Sequence, residues 1–96
     1  MNVGIAKVRL RLPDNLSLKG KRHIVKSLTA RIKNKFNVSI AEVEDNDLWQ
    51  AATIGIGFVS NDKRFTNEVL SKAVEMVVNN QGDFEMLDYE IEILTV

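Results

Sequence analysis

Residues 17–26, SLKGKRHIVK, place Lys19, Lys21, Arg22 and Lys26 around the chain's single histidine, His23, without one carboxylate among them. Cations at this density suit phosphate, because ammonium and guanidinium groups make charge-assisted hydrogen bonds to its oxygens and a nucleic-acid backbone supplies such oxygens in series. On a helix turning about 100° per residue, Lys19, Arg22, Lys26 and Lys33 fall within about 60° of one another. Lys21 and Lys35 lie nearer the buried flank, where their stems are expected to follow apolar surface and their ammonium groups to reach water. Residues 18–36 contain no acid to form i,i+4 pairs, and cations in a first turn oppose the helix macrodipole. A bound anion removes that penalty: free N–H groups at a helix start point at such a ligand, and Gly20 lets a backbone come close. Lys19, Lys21, Arg22, Lys26 and Lys33 are therefore the candidate phosphate or RNA contacts. The competing reading is a solvated helix face, neutralised through space by acids from the rest of the chain.

Other chemistries have less to build on. His23 has no cysteine and no nearby carboxylate with which to form a dyad, so it reads as a surface histidine. Glu42, Glu44, Asp45 and Asp47 resemble a cation site only in composition, since the glycine and terminal glutamate spacing of a calcium loop are missing. The chain has no cysteine, which removes disulfides and thiolate metal sites. No catalytic residue, metal or cofactor is expected, and the protein reads as a non-enzyme. The stretch DLWQAA, residues 47–52, carries the only tryptophan. Leu48 and Trp49 are expected to close the base of the core; the alternative is an exposed anchor for a partner.

The elements that must hold these residues follow from periodicity. Gly4 to Leu12 alternates, with Ala6, Val8, Leu10 and Leu12 on one face and Lys7, Arg9 and Arg11 on the other, which predicts a half-buried strand. Pro13-Asp14-Asn15 ends it, and Ser17 offers an N-cap oxygen. Ile24, Val25, Leu28, Ile32 and Phe36 then form one helical stripe. A second strand is predicted over 37–44, with a bulge near 40–42 where the apolar phase shifts. A third spans 52–60, with Gly55 and Gly57 on its open side. Ser60 or Asn61 is expected to cap a second helix whose buried stripe is Phe65, Val69, Ala73, Met76 and Val77, stopped by residues 79–82. The last strand, 84–94, turns Tyr89, Ile91 and Ile93 inward and Asp88, Glu90 and Glu92 outward.

The order βαββαβ predicts a ferredoxin-like α+β domain over residues 1–96, with two helices on one face of a four-stranded antiparallel sheet and the last strand beside the first. Lys7, Arg9 and Arg11 should then stand across from Asp88, Glu90 and Glu92. The open face presents Thr53, Gly55, Gly57 and Val59 from its central third strand, so the aromatic platform of an RNA recognition motif is absent and RNA contact should be mostly to backbone and shape.

Formal net charge is zero, yet ten Lys and Arg against one acid give +9 through Phe36, and three against twelve give −9 beyond it. That polarity permits a second scheme: self-assembly as a homodimer, the basic half of one copy meeting the acidic half of another, or two sheets pairing at the glycine-lined face. No apolar run approaches the roughly 20 residues that span a bilayer, and the expectation is a soluble, cytoplasmic protein with no membrane partner.

SLKGKRHIVKSL, FNVSIAEVEDNDLWQAATIGIGFVSND and the closing acidic strand resemble the YlxP-like family of small bacterial proteins, over essentially the whole chain. The resemblance implies a ferredoxin-like fold and no known catalytic activity; genes of the family often neighbour those for transcription antitermination and translation initiation, which implies RNA or ribosome work. Ser17, Leu18, Lys19, Lys21 and Arg22 match the family's basic motif, and Asp47, Leu48, Trp49 and Gln50 its second. Gly20 departs from an acidic residue, which removes a capping-box partner and weakens the helix start, and Ala51 departs from a frequent arginine.

Overall fold

A computed structural model describes all 96 residues. Its elements are β1 (Asn2–Arg11), α1 (Leu18–Lys35), β2 (Ser39–Glu44), β3 (Ala51–Ser60), α2 (Lys63–Asn79) and β4 (Glu85–Thr95). The four strands form one antiparallel sheet in the order β2-β3-β1-β4. Both helices lie on one face of it. β1 is central because its inward residues Ala6, Val8 and Leu10, with Leu12 just beyond its end, are all essentially inaccessible, and they meet Val25, Leu28 and Ile32 of α1 and Val69, Leu70, Ala73 and Val77 of α2 in a single apolar cluster. Gly4 permits the close approach of α2: a Cβ there would stand 2.4 Å from Thr66 Cγ2 and 2.5 Å from Leu70 Cδ1.

Several expected details change, each for a local reason. α2 is capped by Asp62, whose Oδ1 accepts the Phe65 N–H at 3.1 Å, and not by Ser60 or Asn61; the Ser60 hydroxyl is occupied with Thr66 Oγ1 and the Asp62 N–H. Phe65 is half exposed and packs edge-on against Phe58, with ring centroids 5.7 Å apart. The irregularity of β2 falls between Glu42 and Glu44, beyond the predicted 40–42, so Val43 bulges out and folds over Gly55 on the open face. β4 holds an unforeseen irregularity at Leu87, between the pairs Arg9–Asp88 and Leu10–Met86. Tyr89 is level with Val8 on the helix side, yet it sits on an edge strand and remains half exposed. No helix is long and apolar enough to cross a membrane.

The basic helix and the loop at its start

α1 begins at Ser17, whose Oγ accepts the Gly20 N–H at 2.9 Å, while its carbonyl accepts the Lys21 N–H at 3.1 Å. The space that Gly20 leaves is filled from within the chain. Asn15 Oδ1 lies 2.3 Å from where a Cβ would be, and Asn15 Nδ2 donates to the carbonyls of Ser17, at 2.7 Å, and Trp49, at 2.5 Å. One amide thus ties the helix start to the β2–β3 connection. A side chain at position 20 would displace the Asn15 amide, so the glycine is what leaves room for this tie.

Lys19, Arg22, Lys26 and Lys33 are exposed, and no carboxylate lies within ion-pair distance of any of them. They keep the strip that their spacing predicts, along roughly 21 Å of helix at about 1.5 Å per residue. Arg31 turns the other way and donates to Asn80 Oδ1 at 2.8 Å, and Lys35 lies beside Met76 and Asn79, so α2 occupies the opposite flank and leaves the strip open.

Lys21 does not belong to that surface. It is 1% exposed, against the expectation that its ammonium would reach water. Its wheel angle lies midway among those of Val25, Leu28 and Ile32, so the helix drives it inward with the stripe. Inside, Nζ donates to the carbonyls of Asp45 at 2.7 Å, Asn46 at 3.1 Å and Ala51 at 3.2 Å. Those three oxygens take the ammonium's hydrogens, and the 2.8 Å approach of Glu42 Oε2 is a charge contact without hydrogen-bond geometry. Lys21 is therefore a clamp on the β2–β3 connection and is removed from the candidate phosphate ligands.

The clamped loop presents Trp49 outward, at 53% exposure, which overturns its expected place at the base of the core; Leu48 is equally exposed. The loop's backbone is held closely all the same. Besides Lys21 and Asn15, Gln50 Nε2 donates to the carbonyls of Pro13 and Asn15, Leu12 N–H donates to the Gln50 carbonyl, and Leu48 N–H to that of Asp45, the one non-glycine residue with positive φ, 64°. Trp49, Leu48, Leu16 and Leu87 line an apolar groove of about 710 Å³ with Leu10 and Ala51 at its floor and Arg11 at its side. Nothing in the sequence named Asn15 and Gln50 as the residues that join the two loops; Lys21's wheel angle was the one legible sign of its burial.

The acidic cluster disperses onto separate partners: Glu42 to Lys21, Glu44 to Lys7 at 2.5 Å, and Asp45 Oδ2 to Thr53 Oγ1 at 3.1 Å. No three potential ligands converge. His23 shares a cleft of about 240 Å³ with Ser27, Arg31 and Asp83, but no hydrogen bond joins His23 to Ser27 or Asp83 as a nucleophile–base relay requires.

On the open face, Arg9 reaches Asp88 at 2.9 Å and Glu90 at 3.5 Å, as the predicted alternation implies. Lys7 instead crosses Gly55 to Glu44, and Arg11 takes Glu85 at 3.0 Å, because the Leu87 irregularity brings Glu85 level with it. The hydrogen bond and charge of Asp88 hold the Arg9 guanidinium above its ordinary range, and the hydrogen bond and charge of Lys7 hold the Glu44 carboxyl below its own.

Strand order and helix placement define a ferredoxin-like α+β protein, and solved structures agree on the fold. The designed protein Foldit4 superposes with a TM-score of 0.56 at 12% identity, covering 100% of this chain and 99% of that one. A designed protein described as having a ferredoxin fold gives 0.54 at 7%, covering 98% and 84%. A variant of SnoaB, a cofactor-independent oxygenase from Streptomyces nogalater, gives 0.52 at 8%, covering 99% and 92%. At these identities the likeness is one of fold alone. Sequence narrows it further: the chain belongs to the family described as "Protein of unknown function (DUF503)", which matches residues 3–91. It is 36% identical over 75 residues to "Uncharacterized protein YlxP" of Bacillus subtilis (strain 168), covering 78% of this chain and 82% of that protein.

Proposed function

We propose that the protein is a non-enzymatic RNA or ribosome-associated accessory factor that meets phosphates with α1. The observation that carries this reading is the contrast in pairing: Lys7, Arg9 and Arg11 on the sheet all have carboxylate partners, while Lys19, Arg22, Lys26 and Lys33 have none and share one strip. Four cations over about 21 Å suit successive phosphates of one strand, and the absence of an acid in the first turn leaves the helix start attractive to anions.

Binding of a single-stranded RNA, followed by anisotropy across a salt series, tests this. Four contacts give a log–log slope of about −3, and the Lys19→Ala/Arg22→Ala/Lys26→Ala variant should fall to about −1. An affinity flat in salt, or a variant with the parental slope, refutes it.

A second reading, self-assembly through the open sheet face, draws support from bare Gly57, which has no atom within 4 Å of a Cβ position, beside exposed Ile5, Val43 and Val59. Light scattering of the RNA-free protein separates the two: a stable dimer with no affinity for RNA favours this one.

A further inference from the structure

We propose that the Trp49 groove is a nucleobase-stacking subsite for single-stranded RNA whose phosphates follow the α1 cations. This rests on the phosphate reading above and specifies its substrate class. Three observations support it.

The first is what is exposed. Trp49 presents more than half its surface between Leu16, Leu48 and Leu87 in a groove of about 710 Å³, within the size range of small-molecule sites. A flat aromatic face flanked by aliphatic walls is the environment in which unpaired bases stack.

The second is rigidity. The backbone behind that side chain is fixed by the Lys21 clamp, the Asn15 amide and the Gln50 amide, six side-chain hydrogen bonds to carbonyls of residues 45–51 and 13–15, with a further one to Ser17. The tryptophan is therefore held at the surface by design of its surroundings, and a platform that is already ordered loses less entropy when it binds.

The third is continuity of unlike chemistries. The same Asn15 nitrogen that holds the Trp49 carbonyl holds that of Ser17, the residue capping α1, so the groove opens at the end of the helix where the unpaired cations begin with Lys19. A peptide side chain would need only the groove, and a duplex only the cations. A single strand uses both, since every base has a π-face and every linkage a charge. The open sheet face has no aromatic platform, and the loop supplies one in its place.

Because Trp49 is the chain's only tryptophan, its emission reports this one site. The probes are a ten-residue oligouridine and a blunt ten-base-pair RNA duplex, each followed by anisotropy across a salt series and by tryptophan fluorescence. Oligouridine should quench the emission and the duplex should not. Trp49→Ala should weaken oligouridine binding about tenfold and leave duplex binding unchanged, which also shows that the variant is folded; Trp49→Phe should keep most of the affinity. Equal oligouridine affinity in parent and Trp49→Ala, or binding without quenching, overturns the stacking subsite while the phosphate reading stands. Failure of both RNAs to bind in a salt-dependent way overturns the phosphate reading and the subsite with it.

Discussion

The open face of the sheet and the outer strip of α1 are both rich in cations, and they differ in what surrounds them. On the sheet, Lys7, Arg9 and Arg11 project at a period of two next to strands whose own outward residues are acidic, so Glu44, Asp88, Glu90 and Glu85 are within reach. On the helix, Lys19, Arg22, Lys26 and Lys33 project at a period that turns them away from every acidic strand. The same half of the chain supplies both sets. Local charge excess therefore says little about function until the fold has decided which charges meet, and here the decision separates a neutralised face from an available one.

Lys21 lies between these two cases and gives the largest test of the comparison. It is a helix cation with partners, but the partners are three backbone carbonyls and one carboxylate in the interior. Replacing it by methionine keeps most of the volume and leaves Glu42 a buried, uncompensated charge, so Lys21→Met should cost about 3–5 kcal/mol in urea denaturation. Adding Glu42→Leu should restore only part of that, because the carbonyls of Asp45, Asn46 and Ala51 still lack a donor. A single-variant loss below about 1 kcal/mol would show that the ammonium is solvated like its neighbours on α1.

How much of this was legible in the sequence depends on how far each residue's partner lies. The β1 alternation, the α1 stripe and the pairing of Arg9 with Asp88 follow from periodicity plus strand order, and each appears where periodicity puts it. The cation strip follows from the wheel alone. Lys21 was half legible: its angle is that of a core residue, but a lysine is placed in a core only by acceptors, and these come from residues 24, 25 and 30 positions away, two in a loop without periodicity and one at the first residue of β3. Trp49 misled for a related reason. A lone tryptophan ordinarily closes a core, and what keeps this one outside is the set of amides from Asn15 and Gln50 that fixes its loop without it. The Leu87 and Val43 irregularities each insert one residue into a ladder, which changes Arg11's partner while leaving the alternation of the remaining residues intact.

Charge reversal on each surface gives the next test, smaller in size and opposite in sign. Arg9→Glu sets a third carboxylate against Asp88 and Glu90 and should lower the urea midpoint. Lys26→Glu creates an i,i+4 pair with Arg22 in a helix that has none, and should leave the midpoint unchanged or raise stability by about 0.2–0.5 kcal/mol at most. The same Lys26→Glu change should weaken RNA binding, so that stability and binding move apart. If both reversals destabilise alike, the α1 strip has intramolecular partners in solution and the contrast between the two surfaces fails.

The smallest effect concerns the pH dependence of the neutralised face. Lys7 holds the Glu44 carboxyl below its ordinary value, first by the hydrogen bond and then by charge, so folding favours the ionised form. A carboxylate lowered on folding contributes stability that is present above its unfolded pKa, about 4.3, and is lost as pH falls through the lower folded value. Because the pair is exposed, the contribution should be slight and should shrink with added salt. Glu44→Gln should therefore lower the thermal midpoint somewhat at pH 6, and the difference from the parent should shrink as pH falls through the lowered folded value and the carboxyl takes up its proton. Lys19, Arg22, Lys26 and Lys33 have no carboxylate beside them, so neutralising any one of them should leave the shape of that acid limb unchanged. A Glu44→Gln profile parallel to the parent's from pH 3 to pH 6 would mean that Lys7 and Glu44 are as unpaired in solution as the helix cations, and would remove one of the three supports of the contrast.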